Sequence, residues 1–193
     1  MSKIFYLMGK SASGKDSIYK ELRKKFPELR PLVIYTTRPI RAGEQEGVEY
    51  HFTDAEGFEN WKDSGRVIEA RTYQTVHGPW TYFTADDGQF DNAAGVLAIG
   101  TVESYMQMRD YFGADRLEPI YIEVEDGLRL MRAIQREMSQ DEPKYKELCR
   151  RFIADSEDFS EEKLAEAEIK IRYQNVDMKQ CIEEIVLGIR SKM

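Results

Sequence analysis

Ile4-Phe5-Tyr6-Leu7-Met8-Gly9-Lys10-Ser11-Ala12-Ser13-Gly14-Lys15-Asp16-Ser17 is the stretch whose reading decides the fold. Five consecutive apolar residues suit a strand buried on both faces of a sheet, and Gly9-x4-Gly14-Lys15 then turns the chain into a helix. That spacing points successive backbone N–H groups into one concavity at a helix N-terminus, where the dipole also favours an anion. Lys15 adds a positive charge for the outer phosphates of a nucleotide. Gly9, Lys10, Ser11, Ala12, Ser13, Gly14 and Lys15 are therefore the expected phosphate-binding loop. Asp16 stands where a Ser or Thr usually gives its hydroxyl to Mg²⁺, and Ser17 is the nearest substitute, so both are expected at the Mg²⁺ shell. The plainer alternative is a glycine-rich strand-to-helix turn with no ligand.

Outward from this loop, the composition narrows the function classes. A chain of 193 residues suits one domain with room for insertions. A net charge of −7 argues against nucleic acid, whose binders usually carry a basic face, so any polyanionic ligand must be met locally. No run approaches 18 apolar residues, and Met1-Ser2-Lys3 is too short a lead for a signal peptide, which together predict a cytoplasmic protein without a membrane segment. Cys149 and Cys181 show no CxxC spacing, and His51 and His77 are the only histidines, so neither a disulfide framework nor a zinc site is expected. A monomer and a homodimer are both compatible with the sequence.

Along the chain, Ile18, Leu22 and Phe26 recur every four residues and predict a helix over 17–26. Residues 32–35 read as a short strand opening into Thr36-Thr37-Arg38-Pro39-Ile40-Arg41-Ala42-Gly43-Glu44, a basic loop. Residues 50–53 read as extended, 53–56 as a capping box before a helix ending at Gly65, and 67–73 with 80–84 as a hairpin. Residues 95–99 predict a central strand, Thr101 the N-cap of a helix to 111, 119–124 another strand, and 128–136 a helix broken at 139–143. A long acidic helix over 148–164, a last strand over 169–173 and a last helix over 178–190 complete the reading.

Strands alternating with helices predict an α/β fold, a parallel sheet wound with helices on both faces. Two parts interrupt the alternation, an antiparallel insert over 37–84 and an arginine-bearing helical excursion over 126–157. The core is then 1–36, 85–125 and 158–193. Arg38 and Arg41 put two guanidiniums in one loop, where each can fork onto phosphate oxygens. Arg129, Arg132, Arg136 and Arg151 form a second cationic set, with pairing to neighbouring glutamates as the alternative.

The loop at 9–17, the run 36–44 and Tyr50 together resemble guanylate kinase, whose acceptor loop carries Thr-Thr-Arg-x-x-Arg-x-Gly-Glu followed by a Tyr. The resemblance runs almost from end to end. It implies a P-loop fold with a nucleoside-monophosphate-binding insert and a helical lid, and transfer of the γ-phosphoryl of ATP to GMP or dGMP with Mg²⁺. It implies Arg38, Arg41, Tyr50 and Tyr82 on the GMP phosphate, and Glu44 holding the loop or its arginines. It also implies Glu69 as the carboxylate that accepts from N1–H and the 2-amino group of guanine, with Thr84 near the base. Lys15, Arg38, Arg132, Arg136 and Arg151 are the implied catalytic charges, and Asn175-x-Asp177 resembles the turn near the adenine of ATP.

Three departures accompany it. Tyr35 stands where the family has a Ser that helps read guanine, which places Tyr35 in the GMP site. Ala98 and Gly100 fall where the family has Asp-Ile-Asp, and Asp16-Ser17 takes the place of the usual hydroxyl. A kinase for another nucleoside monophosphate and a non-catalytic guanylate-kinase-like binding module are the rival readings.

Overall fold

A computed structural model describes residues 2–75 and 77–193. Strand β1 (Lys3–Met8) lies at the centre of a five-stranded sheet of order β2-β7-β1-β8-β9, with β2 Leu29–Pro31, β7 Gly95–Gly100, β8 Leu117–Glu123 and β9 Arg172–Gln174. Every pairing in it is parallel. The apolar run alternates between the two faces. Phe5 and Leu7 pack with Ile18 and Leu22 of α1 (Lys15–Lys25) and Ile182, Ile185 and Ile189 of α7 (Met178–Arg190). Ile4, Tyr6 and Met8 pack with Val102, Tyr105 and Met108 of α3 (Val102–Phe112) and with Leu164 and Ile169. Burial of each of Ile4, Phe5 and Leu7 contributes about 2 kcal/mol, so the stretch that carries the loop is also the spine of the core.

The insert is a second, four-stranded sheet of order β4-β3-β6-β5, from β3 Tyr35–Thr36, β4 His51–Phe52, β5 Val67–Thr75 and β6 Gly78–Ala85, with α2 (Ala55–Asp63) following β4. The β5–β6 hairpin is antiparallel, as expected for the two strands read at 67–73 and 80–84. The excursion consists of α4 (Asp126–Met138) and α5 (Tyr145–Asp158), followed by α6 (Glu161–Glu166).

Four expectations need correction. The strand expected at 32–35 is divided: β2 ends at Pro31 in the core sheet, β3 begins at Tyr35 in the insert, and the Gln89 amide pairs both backbone groups of Val33 between them. The insert sheet thus begins at residue 35 and ends at 85. The helix expected over 148–164 breaks after Asp158, because Ser160 caps α6 by accepting from the Lys163 amide, an N-cap signal present in the sequence. The last strand is 172–174, since Glu168 adopts a left-handed φ of 56° and Ile169 N–H returns to the Leu164 carbonyl. The cap of α2 is Asp54, accepting from Gly57 N–H at 2.8 Å, with Thr53 outside it.

Candidate active site

The loop between β1 and α1 is built around positions with little room. Gly14, at φ 87°, caps α1, and a Cβ there would lie 2.5 Å from Nδ2 of Asn175. A Cβ on Gly9 would lie 2.8 Å from the Ile122 carbonyl oxygen, so both glycines let backbone pass closely. Asn175 is buried and donates from Nδ2 to the Ser13 carbonyl at 2.7 Å, bracing the loop from beneath. The adenine contact expected of Asn175 meets a residue that is almost fully buried, with Nδ2 engaged on the loop and Oδ1, like the Ser13 hydroxyl, without a hydrogen-bond partner. Asp177 is likewise engaged, capping α7 through Gln180 N–H. The Ser13 hydroxyl is buried and without a hydrogen-bond partner, an uncommon condition that an incoming phosphate oxygen would relieve. Lys15 opens α1 with its Nζ 3.8 Å from Asp16 Oδ2, while Asp16 and Ser17 face solvent. Among the described residues, no group of three or more His, Cys, Asp or Glu side chains could hold a metal ion.

The acceptor loop, 37–44, closes on itself through Glu44. Arg38 forks onto that carboxylate, Nη1 to Oε2 at 2.8 Å and Nη2 to Oε1 at 2.6 Å, and the Arg41 amide donates to Oε2 at 2.9 Å. These hydrogen bonds, against the opposing effect of desolvation, hold the Glu44 carboxyl at about 2. A carboxyl depressed in the folded state stabilises fully above its unfolded pKa and loses that as pH falls through the folded one, so the loop should keep this form until pH drops from about 4.5 toward 2. The Arg38 guanidinium lies over the Tyr50 ring at 5.0 Å, Tyr50 meets Tyr82 edge-on at 5.7 Å, and Arg41 lies over Trp80 at 5.9 Å. The structure therefore gathers Arg38, Arg41, Glu44, Tyr50 and Tyr82 into one corner of the insert.

Strand register decides which residues share that corner. Glu69 pairs with Thr84, Arg71 with Tyr82, and Tyr82 with Thr36, so these lie on one face of the sheet. Tyr35 pairs with Phe83 on the opposite face. It stacks on Phe83 at 5.0 Å, packs against Trp61 and donates its hydroxyl to Asp87 at 2.9 Å. Tyr35 is thus a half-buried aromatic on the face of the insert sheet opposite Glu69, Thr84 and Tyr82, and its expected place beside them in the GMP site is corrected. Burial, with the Asp87 hydrogen bond behind it, pushes its phenol well above the usual range. The β3 hydroxyl on the face of Glu69 and Tyr82 belongs to Thr36, which the sequence reading passed over.

The Glu69 carboxylate is fully buried and accepts from Thr84 Oγ1 at 2.7 Å. It is also paired with Arg71, whose Nη1 donates to Thr101 Oγ1 at 3.3 Å. Arg71 was not singled out in the sequence, yet it sits two residues along the same face from Glu69. The position of the absent carboxylate is filled: a Cβ on Gly100 would lie 2.1 Å from the Tyr6 hydroxyl, which is bonded to Ser104 Oγ at 2.5 Å.

The arginines of 126–157 divide into two kinds. Arg129 is buried, not part of an open cationic face. It binds Asp126 and Asp155 and donates to the Ser11 carbonyl, and Asp155 accepts from Ser11 N–H at 2.8 Å. This network pins the roots of α4 and α5 to the phosphate loop. Arg136 and Arg151 line a groove between α4 and α5 with Glu147, which takes Arg151 Nε at 2.7 Å, and Arg132 reaches the Val176 carbonyl at 3.4 Å. Arg132 and Arg136 thus stand on α4 and Arg151 on α5. Cys149 and Cys181 are both free.

Residues 1–81 match the family model of guanylate kinase. A guanylate kinase of Frankia casuarinae is 46% identical over 63 residues, 33% of this chain and 34% of that protein. One of Gloeobacter violaceus is 40% identical over 73 residues, 38% of this chain and 36% of that protein. The chain thus matches about a third of the length of these curated relatives. The crystal structure of guanylate kinase from Anaplasma phagocytophilum superposes with a TM-score of 0.65 at 20% identity, covering 99% of this chain and 86% of that one. The fold is that of guanylate kinase, an α/β P-loop fold.

Proposed function

We propose that the chain is a guanylate kinase, transferring the γ-phosphoryl of ATP to GMP to give ADP and GDP. The observation that carries this reading is the pairing of a phosphate loop with a second phosphate corner made by Arg38, Arg41, Tyr50 and Tyr82, on the same face of the insert as the buried carboxylate of Glu69. Two phosphate sites of this kind, one with a base-reading carboxylate beside it, suit transfer between nucleotides.

An oxygen of the GMP phosphate attacks the γ-phosphorus of ATP, the bond from that phosphorus to the β–γ bridging oxygen breaks, and ADP leaves with the electron pair. The attacking oxygen is already anionic, so the step needs no general base, and the missing carboxylate at Gly100 removes none. Positioning and charge stabilisation are the protein's share. Lys15 and the loop amides hold the donor phosphates, the acceptor corner holds GMP, and Arg132, Arg136 and Arg151 approach as α4 and α5 close, excluding water. The buried, unpartnered Ser13 hydroxyl and the narrow backbone at Gly9 and Gly14 fit a phosphate in the loop. Mg²⁺, a hard cation that takes most of its ligands from phosphates and water, would find Ser17 and Asp16 as its protein oxygens and would supply charge neutralisation.

A coupled assay with ATP and Mg²⁺ against GMP, dGMP, AMP, UMP and CMP tests this reading. Turnover fastest with GMP or dGMP supports it. Turnover only with another monophosphate overturns the substrate assignment, and GMP binding without GDP formation leaves a binding module as the better account.

Arg38→Ala is expected to weaken GMP about a hundredfold while guanosine changes less, because a charge beside the phosphate is lost together with the Glu44 fork that holds the loop. Arg41→Ala should act in the same sense but less, since its guanidinium is exposed. Calorimetry with both ligands checks this, and equal losses for nucleoside and nucleotide would mean that the arginines shape the base pocket instead.

A further inference from the structure

The Glu69 carboxylate has almost no free edge. Arg71 Nε donates to Oε2 at 3.0 Å, Arg71 Nη2 donates to Oε1 at 3.3 Å, and Thr84 Oγ1 donates to Oε1 at 2.7 Å. With two acceptor positions on each oxygen, Oε1 is full and Oε2 has one left. The Glu69 and Arg71 side chains are 0% and 7% exposed, so the pair is enclosed where the insert meets the N-terminus of α3. The Nε–Cζ–Nη2 edge of a guanidinium is the same chemical fragment that guanine carries as N1–C2–N2: a planar carbon bearing two parallel N–H donors. It is the edge that forks onto a carboxylate.

We propose that Arg71 is a specificity-determining residue of the acceptor site, holding the Glu69 carboxylate as an internal counterpart of the guanine edge, so that guanine reaches Glu69 only by displacing it. The proposal rests on the reading of Glu69 as the base-facing carboxylate. Its consequence is a compressed preference among purines. A buried carboxylate ordinarily rejects adenine because no N–H pair meets it and the charge is left unpaired. Here adenine leaves Arg71 and Glu69 undisturbed and meets no unpaired charge, while guanine must first break an ion pair. The Thr101 hydroxyl, on the core side of the insert, remains a partner for Arg71 Nη1 when the guanidinium releases Glu69.

Calorimetric titration of GMP and AMP into the native protein, Arg71→Lys, Arg71→Met and Glu69→Gln tests this. Lys keeps a positive charge beside the buried carboxylate, and hence the fold, but lacks the parallel donor edge. Should Arg71→Met not fold, Arg71→Lys alone decides. Both Arg71 variants are expected to widen the GMP-to-AMP affinity ratio by about tenfold or more, chiefly through tighter GMP, and Glu69→Gln to weaken GMP by about tenfold. An unchanged ratio in Arg71→Lys, while Glu69→Gln still weakens GMP, overturns the role of Arg71 and leaves Glu69 as the reader. A loss shared equally by GMP and AMP in Arg71→Lys marks a merely structural pair and overturns it as well. No effect of Glu69→Gln on GMP overturns the reading of Glu69 and the proposal with it.

Discussion

Replacing Lys15 with Met is expected to lower the rate of phosphoryl transfer by about a thousandfold, the order of loss when one fixed charge at a developing phosphoryl group is removed. Lys15 is the first residue of α1, and its ammonium is only loosely held, 3.8 Å from Asp16. No core contact depends on it, since the buried residues of α1 are Ile18 and Leu22. The melting temperature should therefore stay close to native, as for a substitution outside the core, with a change of about 0.5 kcal/mol or less. A coupled assay beside a thermal melt reads both quantities. A near-native rate would show that the loop does not hold the donor, and a large fall in melting temperature would show that Lys15 supports the fold.

Gly100→Asp, the substitution that restores the family's carboxylate at this position, is expected to damage the protein instead of improving it. The new Cβ would lie 2.1 Å from the Tyr6 hydroxyl and 2.9 Å from Ser104 Oγ. Tyr6 is buried against Tyr105 and bonded to Ser104, so its ring cannot swing into open space. Overpacking at such a site, together with a carboxylate set among buried groups, should cost about 3 kcal/mol. In a chain of 193 residues that lowers the melting temperature by roughly 10 °C. Tyr6→Phe in the same chain removes the obstructing oxygen and should recover part of the loss, a coupling that a double-mutant cycle measures. A Gly100→Asp protein with native stability and a faster rate would mean that Tyr6 yields and that the carboxylate position is open after all.

These cases show what the sequence could tell and what it could not. The loop at 9–15 was legible because spacing fixes its backbone shape, while the hold of Glu44 on Arg38, six residues away, was implied by the resemblance and is made in the structure. Gly100 was visible as a departure, but its reason was not, since Tyr6 and Ser104 meet it only when β1 and β7 lie side by side. Tyr35 was misplaced because a strand two residues long gives no alternation to count, and the face it lies on is fixed by its pairing with Phe83. Arg129 read as one more exposed arginine because Asp155, its partner in burial, is 26 residues away on another helix. Local signals marked the two loops, while long-range pairing decided which side chains lie beside one another.

The pairing of β1 has a bearing on how the chain comes to be folded as it is made. Both neighbours of β1 are late: β7 begins at residue 95 and β8 at residue 117. The β5–β6 hairpin, by contrast, closes within residues 67–85. A nascent chain emerging from its N-terminus can therefore form the insert while β1, its most apolar strand, waits with both edges unpaired. The stretch 1–81, where the family likeness is concentrated, is thus not a unit that stands by itself. A fragment ending before Gly95 is expected to aggregate through β1, and the phosphate loop takes shape only when the less familiar half of the chain has been delivered.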